Sequence, residues 1–261
     1  MTVAQQHVLQ DTTNFAILLL AVAFLVRRFL ASMGVELPTR THGKVSTLPY
    51  EAPELALVLG LVAVFYATVR HPQNELLKGG IYVAFFLVLL LLTARRNDLA
   101  HVFGLHRLGT RALIMWSLLA CFLTSVFTLL VMQLWQIWIQ DLTGPLRPQS
   151  AIQSLKENPM MAIPIFVVAC IMAPLSEEVV FRGFLYPTLK RHTQPFVAVV
   201  VVGAIFSAIH LNLPALAPLF LFSCLLIAAY ELTGNLWVPI LAHAGFNALN
   251  IGLTLLVPHG G

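Results

Sequence analysis

From Thr193 to Tyr230 the chain carries no Asp, Glu, Lys or Arg, and His210 is the one basic side chain in the run. A helix crossing ~30 Å of hydrocarbon needs about 20 largely apolar residues. The run is therefore too long for one crossing and too uniformly apolar to cover a water-facing surface. It has to turn, and Leu211-Asn212-Leu213-Pro214 supplies the turn, because proline disfavours helix at the residue before it. A second break at Thr233-Gly234-Asn235 separates it from the last apolar segment. The rest of the chain has the same character. Of 261 residues, 59% are hydrophobic and 10% charged, against roughly 25% charged in a soluble domain, so most of the exterior faces lipid. The expected fold class is all-α, a polytopic transmembrane bundle of about eight helices with a polar active-site cavity.

On the same ruler the expected spans are about 13–32, 52–70, 79–95, 112–138, 159–177, 194–211, 214–233 and 236–257. The segment 112–140 is long enough to tilt or to project past the bilayer. Residues 1–13 hold no Lys or Arg, and the first basic pair, Arg27-Arg28, follows the apolar run. That order fits a retained helix better than a cleaved signal peptide. Alternate loops hold Arg27, Arg28, Arg40, Lys44, Arg95, Arg96, Arg107, Arg111, Lys190 and Arg191, whereas the remaining loops hold Arg70, Lys78, Arg147 and Lys156. The bias puts the N-terminus outside the cytoplasm. A net charge of +4 spread over loops points to membrane orientation and lipid contact, not to nucleic acid. Cys121, Cys170 and Cys224 sit in apolar stretches without CxxC spacing and read as packing residues.

Polar groups at membrane depth carry the functional information. A charge at a helix centre costs about 2.5–3.5 kcal/mol even on the gentler insertion scale, so each needs a reason. Four places stand out: Glu177-Glu178 with Arg182, His210, Glu231, and His243 with Asn247. Glu178 and Arg182 are four apart and share a helix face, so they can pair. Glu177 then points about a third of a turn away, and an unpaired carboxylate in a low-dielectric site is a candidate general base. A bland alternative is that both glutamates cap a helix end near the headgroups. His210 alone reads as an interfacial histidine, and His243 with Asn247 as a His and an amide one turn apart, beside small residues that allow close helix packing. Glu231 is expected to be interfacial or structural. Taken together, Glu177, Glu178, Arg182, His210, His243 and Asn247 on three apolar helices are hard to explain as packing.

Hydrolysis needs an activated water, a group to take and return its proton, and donors for the oxyanion. Glu177 and His210 are suited to hold the water, and His243 and Asn247 share a face from which both can donate. No serine lies in a GxSxG elbow. Glu177, His210 and His243 are legitimate ligands for a divalent metal such as zinc, but the HExxH spacing is absent, so a metal-free mechanism needing no cofactor is favoured. Read as simple alternating spans, Glu177 and His210 fall at opposite ends of neighbouring helices. Their convergence therefore demands broken or tilted helices, which Pro164 and Pro174 permit.

Glu177-Glu178-x-x-x-Arg182, Phe206-x-x-x-His210 and His243-x-x-x-Asn247, in this order, resemble the CAAX protease and bacteriocin-processing (CPBP) intramembrane endopeptidases. The stretch Tyr230–Trp237 leading to His243 resembles that family too. The resemblance covers about residues 159–255. It implies a protease core over 159–257 behind N-terminal transmembrane helices, 1–158, that carry no recognised motif. It implies a cavity reached from the cytoplasmic side and an integral, multi-pass protein of the bacterial inner (cell) membrane. By the same carry-over Glu177 activates the water, His210 holds it, His243 and Asn247 stabilise the oxyanion, and Glu178, Arg182 and Phe206 support the site. The implied substrate is a peptide or lipidated protein in the membrane, CAAX-like in some members. Two rival readings stay open: a non-catalytic binding or immunity protein of the same fold, and a proton-coupled transporter. The second predicts an internal repeat in hydropathy, and none is found in the sequence.

Overall fold

In the computed structural model the polar residues lie on helices shaped by their prolines. The structure describes residues 43–48, 98–143, 162–210 and 212–256, with isolated helical positions between 56 and 94. The expected span 13–32, most of 52–70 and of 79–95, and most of the loop charges used for orientation lie outside the described residues. Among the described residues every regular element is helical. They run as α1 (Leu99–Val102), α2 (Thr110–Thr143), α3 (residues 162–192), α4 (Pro195–Ile209), a 3-10 turn (Leu213–Ala215), α5 (Leu216–Thr233) and α6 (Trp237–Leu256).

The polarity of α2 is inside out. Ser117, Thr124, Ser125 and Thr128 share its buried face, while Met115, Leu118, Phe122 and Ile137 stand exposed on the other. Positions 117, 124 and 128 recur at helical spacing, so one face is hydroxyl-lined. It packs along α5 and α6. Such a helix is stable only where the exterior solvent is apolar. Segments Thr110–Ile139, Ile163–His192 and Leu213–Thr233 are each long and apolar enough to cross a bilayer, and α4 is a shorter apolar helix. The chain is an integral membrane protein.

α3 corrects the expected span 159–177. It does not end at Glu177 but continues through Gly183 and Pro187 to His192. Proline lacks the N–H that closes a helical turn, and its ring collides with the carbonyl four residues back. α3 meets both problems by widening just before each proline. The Ala173 N–H donates to the Val168 carbonyl at the end of the π-turn Val168–Met172, ahead of Pro174. The Tyr186 N–H donates to the Phe181 carbonyl at the end of Val179–Leu185, ahead of Pro187. π-turns of this kind add a residue without breaking the rod.

Glu177 therefore stands mid-helix. Fifteen residues separate it from His192, and fifteen separate Pro195 from His210. At ~1.5 Å per residue both groups lie about 20 Å from the α3–α4 turn, on one level of the bundle. The apparent mismatch between them came from ending α3 too early.

At the turn end of the bundle three loops meet. Gly104 and Gly234 both have positive φ, 63° and 65°, and a Cβ on Gly104 would stand 1.8 Å from the Gly234 carbonyl oxygen. Only glycine fits there. Leu236 N–H donates to the Phe103 carbonyl at 3.0 Å, and Leu48 N–H to that of Pro187 at 3.4 Å. Arg107 Nη1 donates to the Lys44 carbonyl, which ties residues 43–48 to the same end.

Candidate active site

Glu178 and Arg182 pair as their spacing on α3 predicts. Arg182 Nη1 donates to Glu178 Oε1 at 2.9 Å, and both residues are 0% exposed. The same oxygen faces His243 Nδ1 of α6 at 2.8 Å. An ionised carboxylate only accepts, so Nδ1 carries the proton of that bond, and Nε2 donates only when the ring is doubly protonated. Arg182 Nη2 donates to the Ser223 carbonyl at 3.1 Å and to Ser223 Oγ at 3.0 Å. Phe206 lies under the guanidinium, 4.9 Å from Cζ to the ring centroid, a geometry suited to cation–π attraction.

Glu177 is treated differently. It is buried to 7% exposure, and its carboxylate meets no hydrogen-bond partner among the described residues. Neighbouring carboxylates thus have unlike surroundings, one committed to a cation and an imidazole, the other with its oxygens uncommitted.

His210 caps α4 and is half-buried, with Nδ1 2.6 Å from the Phe206 carbonyl. A carbonyl accepts and cannot donate, so Nδ1 carries the proton of that contact, and in the neutral ring Nε2 holds the lone pair. Phe206 is the hub of the site. Its ring centroid lies 4.9 Å from that of His210, 6.3 Å from that of His243 and 5.1 Å from that of Phe181. Phe222 of α5 closes the other side of His243 at 4.9 Å.

Asn247 lies one turn beyond His243, and its Nδ2 donates to the Ala169 carbonyl at 2.7 Å. The π-turn explains that acceptor. The Ala173 N–H, its α-helical partner, goes to Val168 instead, and the next position, Pro174, has no N–H. Asn247 satisfies a carbonyl orphaned by the turn. Its amide nitrogen has a second proton, still available for donation.

Glu231 lies apart from these groups, at the turn end. Tyr186 Oη donates to its Oε1 at 2.8 Å, Lys190 Nζ donates to the same oxygen at 2.5 Å, and Val45 N–H reaches Oε2 at 3.5 Å. Lys190 also donates to the Val45 carbonyl at 3.0 Å. Lys190, counted above as a loop charge, is buried to 1% exposure, so it cannot report on membrane orientation. Ser223, Phe222 and Tyr186 escaped the sequence reading because none stands in a short-range motif.

Among the described residues no three His, Cys, Asp or Glu side chains gather closely enough to hold a metal.

Residues 159–249 match a family model described as Rce1-like, type II CAAX prenyl endopeptidase. Among curated proteins the chain is similar to "Putative membrane peptidase YdiL" of Bacillus subtilis (strain 168), with 29% identity over 97 residues. That similarity covers 37% of this chain and 40% of the relative, so the chain spans less than half the length of the protein it matches. No solved structure matches.

Proposed function

We propose, from the match of residues 159–249 to the Rce1-like, type II CAAX prenyl endopeptidase model, that the chain is an intramembrane endopeptidase of the CPBP family whose water is activated by Glu177. The supporting observation is the division between adjacent carboxylates. Glu178 is bound by Arg182 and His243, whereas Glu177 has no partner among the described residues.

In the proposed reaction a water donates one proton toward Glu177 and the other toward Nε2 of His210, which aims an oxygen lone pair at the scissile carbonyl. Glu177 takes its proton as the C–O bond forms. The oxyanion is met from α6, by the free amide proton of Asn247 and by the His243 imidazole. The C–N bond then breaks, and the proton held by Glu177 passes to the leaving amine. General acid–base transfer of this kind contributes about 10²–10⁴ in rate, and a single oxyanion donor about 10²–10³. No step is routed through a metal, since among the described residues no three ligating side chains gather closely enough to hold one.

The proposed substrate is a membrane-associated peptide or lipidated protein, CAAX-like in its modification, and the proposed location is the bacterial cell membrane. An apolar exterior supports a membrane location, and the match to a prenyl endopeptidase family supports a lipidated substrate.

The test is hydrolysis by detergent-purified protein of a library of lipidated and unlipidated peptides, with and without a chelator, beside Glu177→Ala and His210→Ala. Cleavage lost in both variants and indifferent to chelator is the expected result. Cleavage surviving in Glu177→Ala overturns the mechanism, and loss on chelation overturns its metal-free form. Tight peptide binding without turnover in every sample would favour a non-catalytic binding protein of this fold.

A further inference from the structure

Arg182 joins four helices at one buried point. It sits on α3 with Glu178, leans on Phe206 of α4, donates to Ser223 of α5, and through Glu178 Oε1 is linked to His243 of α6. A guanidinium offers a planar fork that matches both oxygens of a carboxylate. Here that two-pronged match is not made. Nη1 goes to Glu178 Oε1, while Nη2 is drawn off by the carbonyl and hydroxyl of Ser223, itself 0% exposed. Glu178 Oε2 is left without a hydrogen-bond partner among the described residues.

Drawing Nη2 away has a consequence for His243. Were Arg182 to grip both carboxylate oxygens, Glu178 would be held to α3's own guanidinium and would compete less well for an imidazole on another helix. With Nη2 anchored on α5, Oε1 receives both Arg182 and His243, and the imidazole is fixed with its proton on Nδ1. Nε2 is then the nitrogen left for chemistry at the substrate.

We infer that Ser223 is a positioning residue for His243, acting through Arg182 and Glu178. Its hydroxyl, beside the Ser223 carbonyl that also holds Nη2, sets where the guanidinium points, the guanidinium sets the carboxylate, and the carboxylate sets the orientation of the imidazole. The activity arm of the test rests on the endopeptidase reading; the spectroscopic arm does not.

The experiment compares wild type with Ser223→Ala, the near-isosteric Ser223→Cys and the hydroxyl-retaining Ser223→Thr, in detergent, with 15N-histidine labelling. His243 resonances are assigned through His243→Gln. Loss of the hydroxyl is expected to move or broaden the Nδ1–H resonance of His243 in Ala and Cys, and Thr is expected to restore it. Hydrogen bonds to charged groups set the scale of the activity loss at about tenfold to a hundredfold in kcat, with KM unchanged. An unmoved His243 resonance in Ser223→Ala and Ser223→Cys overturns the inference, as does failure of a folded Thr variant to restore it. If the Ala variant unfolds, the Cys variant decides by the same signal. If wild type cleaves no peptide, a resonance that moves in Cys and returns in Thr still upholds the positioning role, and only the endopeptidase reading falls.

Discussion

Glu178 and Glu231 are both sealed inside the bundle, and each is paired with a cation from α3, Arg182 for the first and Lys190 for the second. Around Glu231 the network closes. One oxygen takes Tyr186 and Lys190, the other takes the Val45 N–H, and Lys190 spends a further proton on the Val45 carbonyl. Around Glu178 it does not close. Oε1 serves two donors, Oε2 has none among the described residues, and the adjacent Glu177 has none either. Buried polar groups are normally satisfied, so a complete network reads as structure, and an incomplete one marks where the described residues leave acceptors uncommitted. Charge at membrane depth is common to both regions. What separates them is whether the protein itself supplies every donor.

The sharpest way to break this comparison is to neutralise the uncommitted carboxylate. Glu177→Gln is expected to cut peptide hydrolysis by about 10³–10⁴, equivalent to about 4–5.5 kcal/mol of barrier. The melting temperature should move little, because no bond is lost among the described residues. Activity and thermal unfolding measured on one preparation check it; a large fall in melting temperature would make Glu177 structural. Glu231→Ala should do the reverse. It strands a buried Lys190 and the Tyr186 hydroxyl, at about 3–5 kcal/mol of stability, while the folded fraction keeps its turnover. Replacing both members, Lys190→Met with Glu231→Leu, should recover much of that loss, since breaking a buried pair costs more than removing it whole. If turnover per folded molecule drops as far as stability in Glu231→Ala, the two regions are not separable.

Legibility followed the range of the interaction. The Glu178–Arg182 pair was readable because both partners share one helix face, and the inward polar groups were readable because lipid forbids them without cause. His243 taking Glu178 from another helix was not readable, since nothing local links positions 65 residues apart. Lys190 was misread as a loop charge for the same reason: its partner lies 41 residues away on α5. Proline rules gave the places where α3 would be disturbed but not the form. Widening into π-turns keeps one rod where a break was expected, and that continuity brings Glu177 and His210 to one level.

Asn247 sharpens the comparison because it belongs to both kinds of region, satisfying a backbone carbonyl while lying one turn from His243. Asn247→Ala should cost about 1–3 kcal/mol of stability, the penalty of leaving the Ala169 carbonyl without a donor. Its activity should fall as well, through the second amide proton. Asn247→Asp separates the two contributions. An ionised carboxylate cannot donate to a carbonyl, so the near-isosteric Asp should be less stable than Ala despite filling the same space. Thermal unfolding at neutral pH ranks the three proteins. Asn above Ala above Asp supports a structural bond to the π-turn. Asp equal to wild type would mean that Ala169 needs no donor, and Asn247 would then belong with the open network alone.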